Sequence, residues 1–244
     1  MLPVLGMQAA MFCTGCRIKP LLVLLPGLDG SGELFGSFTA ALLPELPPLL
    51  ISYPRDQVLD YRELTDYVRA RLPRGQPFVV LGESFSGPVA IALAASEPDC
   101  AGLILAGSFA RNPHSLLSGM QRFAALLPVW PSLTPVIAPL LLGRQRLPAL
   151  RQVVAQVAPA VLRGRVHEVL TVDYSKQMTM VRVPVLYLQA AQDRVVPGSA
   201  ARHLQALCPA MQVVSLPGPH LLLQTLPHQA ADAVRAFCDG LNFL

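Results

Sequence analysis

Charge is what this sequence has least of. Asp, Glu, Lys and Arg make up 14% of its 244 residues, well below the roughly 25% usual in a soluble domain. A chain so poor in charge must leave apolar surface exposed somewhere, and such surface commonly marks a binding groove or a lid. The formal charge of +4 comes mostly from scattered arginines, with no basic run and no interleaved aromatics. Nucleic acid is therefore excluded from the expected partners. A membrane-spanning run is lacking too. Nowhere do about 20 apolar residues follow one another without proline or charge, and the most apolar stretch, Leu133 to Leu142, is broken by Pro135 and Pro139. The apolar start, Met1 to Ala10, lacks the basic flank and cleavage site of a secretory leader.

Cysteine offers no framework either. Cys13, Cys16, Cys100, Cys208 and Cys238 are odd in number, and Cys13-Thr14-Gly15-Cys16 has no second pair. A structural metal needs about four ligands, so neither a metal nor a cofactor is expected. Reduced, buried thiols in a cytoplasmic protein fit this usage.

What the chain has in plenty is apolar residues, 52% of the total, and its length suits one large domain or a domain with an insertion. Leu21 to Leu25 reads as a buried strand ended by Pro26-Gly27. Asp29 or Ser31 then caps a helix over Gly32 to Leu42. Leu49 to Tyr53 reads as a strand and Tyr61 to Leu72 as an amphipathic helix. The strand Phe78 to Leu81 and the helix Phe85 to Ala95 flank Ser84, and Ala101 to Ala106 is a further strand. Residues 111–183 give proline-broken helical patterns, with helices expected over Ser115 to Leu127 and Ala149 to Leu162. This region is expected to form a helical cap inserted into a core of residues 21–110 and 184–244, after a leader of residues 1–20. Alternation resumes with strands Val185 to Leu188 and Gln212 to Leu216 and helices Ser199 to Leu207 and Pro227 to Cys238. Repeated strand–helix units with buried strands predict an α/β fold with a mostly parallel sheet and helices on both faces.

In such a sheet the loops after the strands share one edge. Ser84, Asp193 and His220 each fall in such a loop. A serine hydroxyl is a poor nucleophile until a histidine takes its proton, and a carboxylate fixes the histidine tautomer and stabilises the imidazolium. The order Ser, Asp, His is that of an elbow-type serine hydrolase. Asp173 competes for the acid role but falls in the cap pattern. His114 and His167 lie in or near the cap, His203 inside a helix and His228 at a helix start, whereas His220 alone follows a strand. The backbone amides of Phe85 and Leu28 are the expected oxyanion donors.

Leu25-Pro26-Gly27-Leu28-Asp29-Gly30, Gly82-Glu83-Ser84-Phe85-Ser86-Gly87, Asp193-Arg194-Val195-Val196-Pro197 and Gly218-Pro219-His220 stand in this order. The chain thereby resembles the α/β-hydrolase superfamily from about Leu21 onward. The resemblance implies an ester- or thioester-cleaving serine hydrolase with Ser84, Asp193 and His220 as triad and Leu28 and Phe85 as oxyanion donors. Two departures stand out. Ser86 occupies the position two after the nucleophile where the family has glycine, and Pro26-Gly27 replaces the usual His-Gly. The family's opening strands are expected to be shortened or absent.

The low charge and apolar cap residues such as Leu116, Phe123, Trp130 and Leu142 favour a small-molecule ester with an apolar acyl group. Acyl transfer and thioester cleavage use the same groups and remain alternatives, as does C–C hydrolysis. Dehalogenase and epoxide hydrolase chemistry would want Asp in place of Ser84. A non-catalytic binding module would have no need of the three residues together. The chain is expected to be a monomer or a dimer.

Overall fold

Six apolar blocks become six strands of one sheet in a computed structural model, which describes residues 20–113, 142 and 148–241. The strands are β1 (Leu21–Leu25), β2 (Pro48–Leu50), β3 (Phe78–Glu83), β4 (Cys100–Ala106), β5 (Val185–Ala190) and β6 (Gln212–Leu216). Their order is β2-β1-β3-β4-β5-β6, and every pairing is parallel. Parallel strands need helical crossovers that cover both faces, and the side chains alternate accordingly. Leu22, Leu24, Val79 and Leu81 enter one core layer, and Val23, Leu25, Phe78 and Val80 enter the other. Each fully buried Leu or Val contributes about 1.5–3 kcal/mol through removal from water.

The helices are α1 (Gly36–Leu42), α2 (Tyr61–Arg69), α3 (Gly87–Ser96), α4 (Pro148–Ala155), α5 (Pro159–Thr171), α6 (Ser175–Met180), α7 (Gly198–Leu207), α8 (Leu222–Thr225) and α9 (Pro227–Asp239). α1 and α9 cover one face, through Phe38, Leu42, Val234 and Phe237; α2, α3 and α7 cover the other, through Leu64, Val68, Ile91 and Leu204. The chain leaves β1 in opposite directions, toward β2 through α1 and, after β2, toward β3 through α2. The gap beyond β1 and β3 is therefore a topological switch point, where open α/β sheets place their ligands.

Local differences from the sequence expectations have physical causes. The helix expected over Gly32 to Leu42 starts with a 3-10 segment, Glu33–Phe35, before α1. Gly32 holds the N-cap position itself; Ser31 N–H donates to Asp29 at 2.9 Å, and the Ser31 hydroxyl accepts from Glu33 N–H at the helix start. β2 is an edge strand and ends at Leu50, because the chain beyond it bends to give the Tyr53 N–H to Gly30. Ala149 to Leu162 divides into two helices at Pro159, which starts α5 at a position that needs no N–H. α2 begins at a reciprocal cap between Asp60 and Glu63 and ends at Arg69, short of Pro73. The segment Ser115 to Leu127 lies outside the described residues, as do Cys13 and Cys16. Asn112 N–H bonds to Val172 O and Tyr174 N–H to Ala110 O, tying the chain leaving β4 to the chain that follows α5.

Candidate active site

Ser84 stands where β3 turns into α3 without a loop. Its φ of 48° is the single positive value at a non-glycine among the described residues, a strained position that costs on the order of 1–3 kcal/mol. Such a turn works only where strand and helix can approach closely. A Cβ on Gly82 would lie 2.7 Å from the Ser86 carbonyl oxygen, and one on Gly87 would collide with Ser108. The close approach thus falls on Gly82 and Gly87, which is why the chain tolerates Ser86 between them.

Ser86 is fully buried and points away from the cavity, into the turn after β1. Its hydroxyl donates to the Pro26 carbonyl, so the hydrogen bond at 2.6 Å to Tyr53 must run from the phenol to Ser86. Burial pushes the Tyr53 phenol well above the usual tyrosine range, which keeps it a neutral donor. Ser86 therefore ties the elbow to the Pro26–Gly30 turn and adds no hydroxyl to the cavity.

The other two side chains arrive from the ends of β5 and β6. Ser84 Oγ lies 2.8 Å from His220 Nε2, and His220 Nδ1 lies 2.8 Å from Asp193 Oδ2. The remaining carboxylate oxygen, Oδ1, accepts the N–H groups of Val195 and Val196, each at 2.8 Å. A carboxylate only accepts, so Nδ1 carries the proton and Nε2 offers its lone pair to the serine. Both side chains of the His220–Asp193 pair are almost wholly withdrawn from water. Chemically, this arrangement can take a proton from Ser84 and return it to a leaving group.

A cavity of about 200 Å³ opens above Ser84 and His220 and is also lined by Leu28 and Phe85. Phe85 is the second residue of the 3-10 turn that begins at Ser84, so its N–H is among those left free at a helix start. Leu28 N–H has no hydrogen-bond partner among the described residues. The walls are apolar, with Leu34 from the β1 side, Leu150 and Val154 from α4, and Leu162, Val166 and Val169 from α5. Leu142 is buried beside α4; the expected cap residues Leu116, Phe123 and Trp130 lie outside the described residues. The α5 wall follows the i, i+4, i+7 spacing of a helix face, a signal that the proline-rich surroundings obscured.

The competitors sit elsewhere. The Ser175 hydroxyl, followed by the Ser175 N–H at 2.9 Å, holds the Asp173 carboxyl below the usual range. His203 pairs with the Ser175 hydroxyl at 2.9 Å, forming a second Ser–His contact. Neither residue lines the cavity, and no carboxylate is hydrogen-bonded to His203 among the described residues. His167 and His228 are exposed, and His114 lies outside the described residues.

Two buried charged residues escape sequence reasoning, because nothing local marks them as buried. One is Arg165 of α5. The other is Glu83, next to Ser84, whose carboxyl faces Gly27 N–H and Gln224. Burial pushes the Glu83 carboxyl up from 4.5 to about 8. Once protonated, it needs an acceptor, and rotation of the Gln224 amide supplies its otherwise unpartnered Oε1. Between pH 4.5 and about 8 the folded protein holds a proton that the unfolded chain has released. The stability from this group is therefore full below the lower value and is lost as pH rises through the upper one. Denaturant titrations of wild type and Glu83→Gln from pH 6 to 9 are expected to diverge. Wild type should lose on the order of 3 kcal/mol relative to the variant as the pH rises; parallel curves would contradict the burial of an acid there.

The fold and the strand-end chemistry together define a class of enzyme scaffold, and comparison with known proteins identifies it. A family model described as alpha/beta hydrolase fold matches residues 20–225, and the chain belongs to the alpha/beta hydrolase family. It is 27% identical over 251 aligned positions to a protein named "Putative carbamate hydrolase RutD" of Klebsiella pneumoniae (strain 342), covering 91% of each chain. A solved hydrolase from Pseudomonas aeruginosa PA01 superposes with a TM-score of 0.75 at 19% identity over 91% of both chains. An esterase from Exiguobacterium antarcticum gives 0.74 at 14% identity, over 91% of this chain and 92% of that one. At such identities these two structures share the fold.

Proposed function

We propose that the protein hydrolyses carboxylic esters with a short to medium apolar acyl chain, using Ser84 as nucleophile. The observation that carries this reading is the unbroken Ser84–His220–Asp193 hydrogen-bond chain facing an apolar cavity. His220 Nε2 takes the hydroxyl proton as Ser84 Oγ bonds to the acyl carbon. The tetrahedral oxyanion is met by the N–H groups of Leu28 and Phe85. Collapse breaks the bond to the alkoxide, which leaves with the proton from His220, and a water activated by the same imidazole then releases the acid. Asp193 holds the tautomer and balances the imidazolium throughout.

Cavity size supports the acyl class. A volume of about 200 Å³ lies below the roughly 300–1,000 Å³ of drug-sized ligand sites. Across p-nitrophenyl esters from acetate to dodecanoate, kcat/KM is expected to peak at butyrate to hexanoate. Val166→Trp, which fills one wall, should lower the hexanoate-to-acetate ratio by about tenfold or more. An unchanged chain-length profile in that variant would contradict the assignment of the cavity to the acyl group.

The named relative raises a carbamate as a second substrate class. The absence of titratable lining side chains other than Asp29 and His220 among the described residues favours the apolar acyl ester. Parallel rates on aryl carbamates and aryl esters decide between them. Product analysis with added alcohol or thiol separates hydrolysis from acyl transfer.

A further inference from the structure

The turn after β1 is held at one peptide group after another. The Pro26 carbonyl accepts from Ser86, and the Gly27 N–H faces the Glu83 carboxyl. The Gly27 carbonyl accepts from Gly30 N–H at 3.0 Å, and the Gly30 carbonyl accepts from Tyr53 N–H at 2.7 Å. The Leu28 carbonyl is held differently, from the helical layer above the sheet. Arg165 of α5 donates to it through Nη1 at 2.8 Å, while Nη2 donates to the Pro54 carbonyl at 2.9 Å. The side chain is only 3% exposed, and its guanidinium lies 5.7 Å from the Tyr53 ring centre and 5.9 Å from that of Phe85.

A buried cation held by carbonyls, with no carboxylate bonded to it among the described residues, is expensive to keep. A leucine or methionine would fill such a place at lower cost if packing were the need. What arginine adds is a rigid planar fork that holds two acceptors in fixed relation. The turn is shaped around it. A Cβ on Gly30, where φ is +71°, would stand 2.4 Å from Nη1. Leu28, gripped at its carbonyl, also lines the cavity, and its N–H has no partner among the described residues. Fixing the carbonyl restricts rotation of the residue that presents this donor.

We propose that Arg165 is a positioning residue that reaches from α5 to set the Leu28 amide, so that the oxyanion site is complete only when the helical layer is docked on the sheet. The proposal rests on the reading of Ser84 as nucleophile and Leu28 as donor. Misplacing one donor should act on the transition state and leave substrate binding alone. In Arg165→Met, kcat for p-nitrophenyl butyrate is expected to fall about 10- to 100-fold with KM little changed. Affinity for an alkyl trifluoromethyl ketone, which forms a tetrahedral adduct on serine, should fall in parallel. Arg165→Lys keeps the charge and the stem without the planar fork, and should fall between the two.

The outcome that overturns the proposal is an unchanged kcat and ketone affinity in Arg165→Met, or a loss confined to KM or to thermal stability. Should Arg165→Met fail to fold, Arg165→Lys is judged by the same two readouts. Ser84→Ala, run beside them, separates the two levels. Full activity in Ser84→Ala removes the nucleophile reading itself. An inert Ser84→Ala beside a fully active Arg165→Met removes only the role of Arg165.

Discussion

Ser84→Ala is expected to lower kcat for p-nitrophenyl butyrate by about 10⁴-fold or more, leaving a residue of activity from the oxyanion donors and binding alone. The size of the effect follows from what the hydroxyl does. Without Oγ no acyl-enzyme forms, and His220 Nε2, 2.8 Å away, has only water to activate at a position built for a serine. The fold should survive the change. Alanine at φ 48° is no more strained than serine there, and the hydrogen bond lost lies at the cavity wall. Steady-state kinetics beside a thermal melt check both halves of the prediction. A large loss of activity with an unchanged melting temperature is the expected result.

Asp193→Asn should cost about 10³–10⁴-fold in kcat, through the tautomer of His220. Oδ1 of Asp193 already accepts two backbone N–H groups, those of Val195 and Val196. An asparagine keeps those bonds only by placing its carbonyl oxygen there and its NH₂ against His220 Nδ1. That forces Nδ1 to accept and moves the ring proton to Nε2, where it faces Ser84 and removes the base. The opposite amide orientation sets an NH₂ against two donors and loses both bonds. Because the geometry is nearly isosteric, the expected signature is a collapse of kcat with substrate affinity retained. A variant that retained most of its kcat would contradict the role of Asp193.

The strands were legible in the sequence because parallel strands covered on both faces are continuous apolar blocks. Leu21 to Leu25 keeps the bounds expected of it, and so does the edge strand Gln212 to Leu216, although most of its residues are exposed and two are polar. Reading Ser84, Asp193 and His220 as a group required only that a parallel sheet bring its strand ends to one edge, and the three side chains are hydrogen-bonded to one another. Less legible was everything decided by distant packing. Glu83 looks like an ordinary polar residue at a strand end until β1 and α8 close over it. Arg165 shares a helix with Arg163 and is told apart from it only by the turn it meets. Ser86 reads as an exception to a glycine pattern, yet the close contacts at Gly82 and Gly87 and its bond to Pro26 make it part of the elbow's support. Such residues are specified by tertiary contacts, and no local period announces them.

If Ser84 takes up the acyl group, a covalent serine probe will find it there. The protein is treated with an alkyl fluorophosphonate until activity is lost, then digested and mapped by mass spectrometry. One phosphonyl group per chain is expected, on Ser84, appearing in step with the loss of esterase activity and absent from Ser84→Ala. Modification of Ser175, whose hydroxyl also meets a histidine, in place of Ser84, or full activity retained in a protein labelled at Ser84, would contradict it.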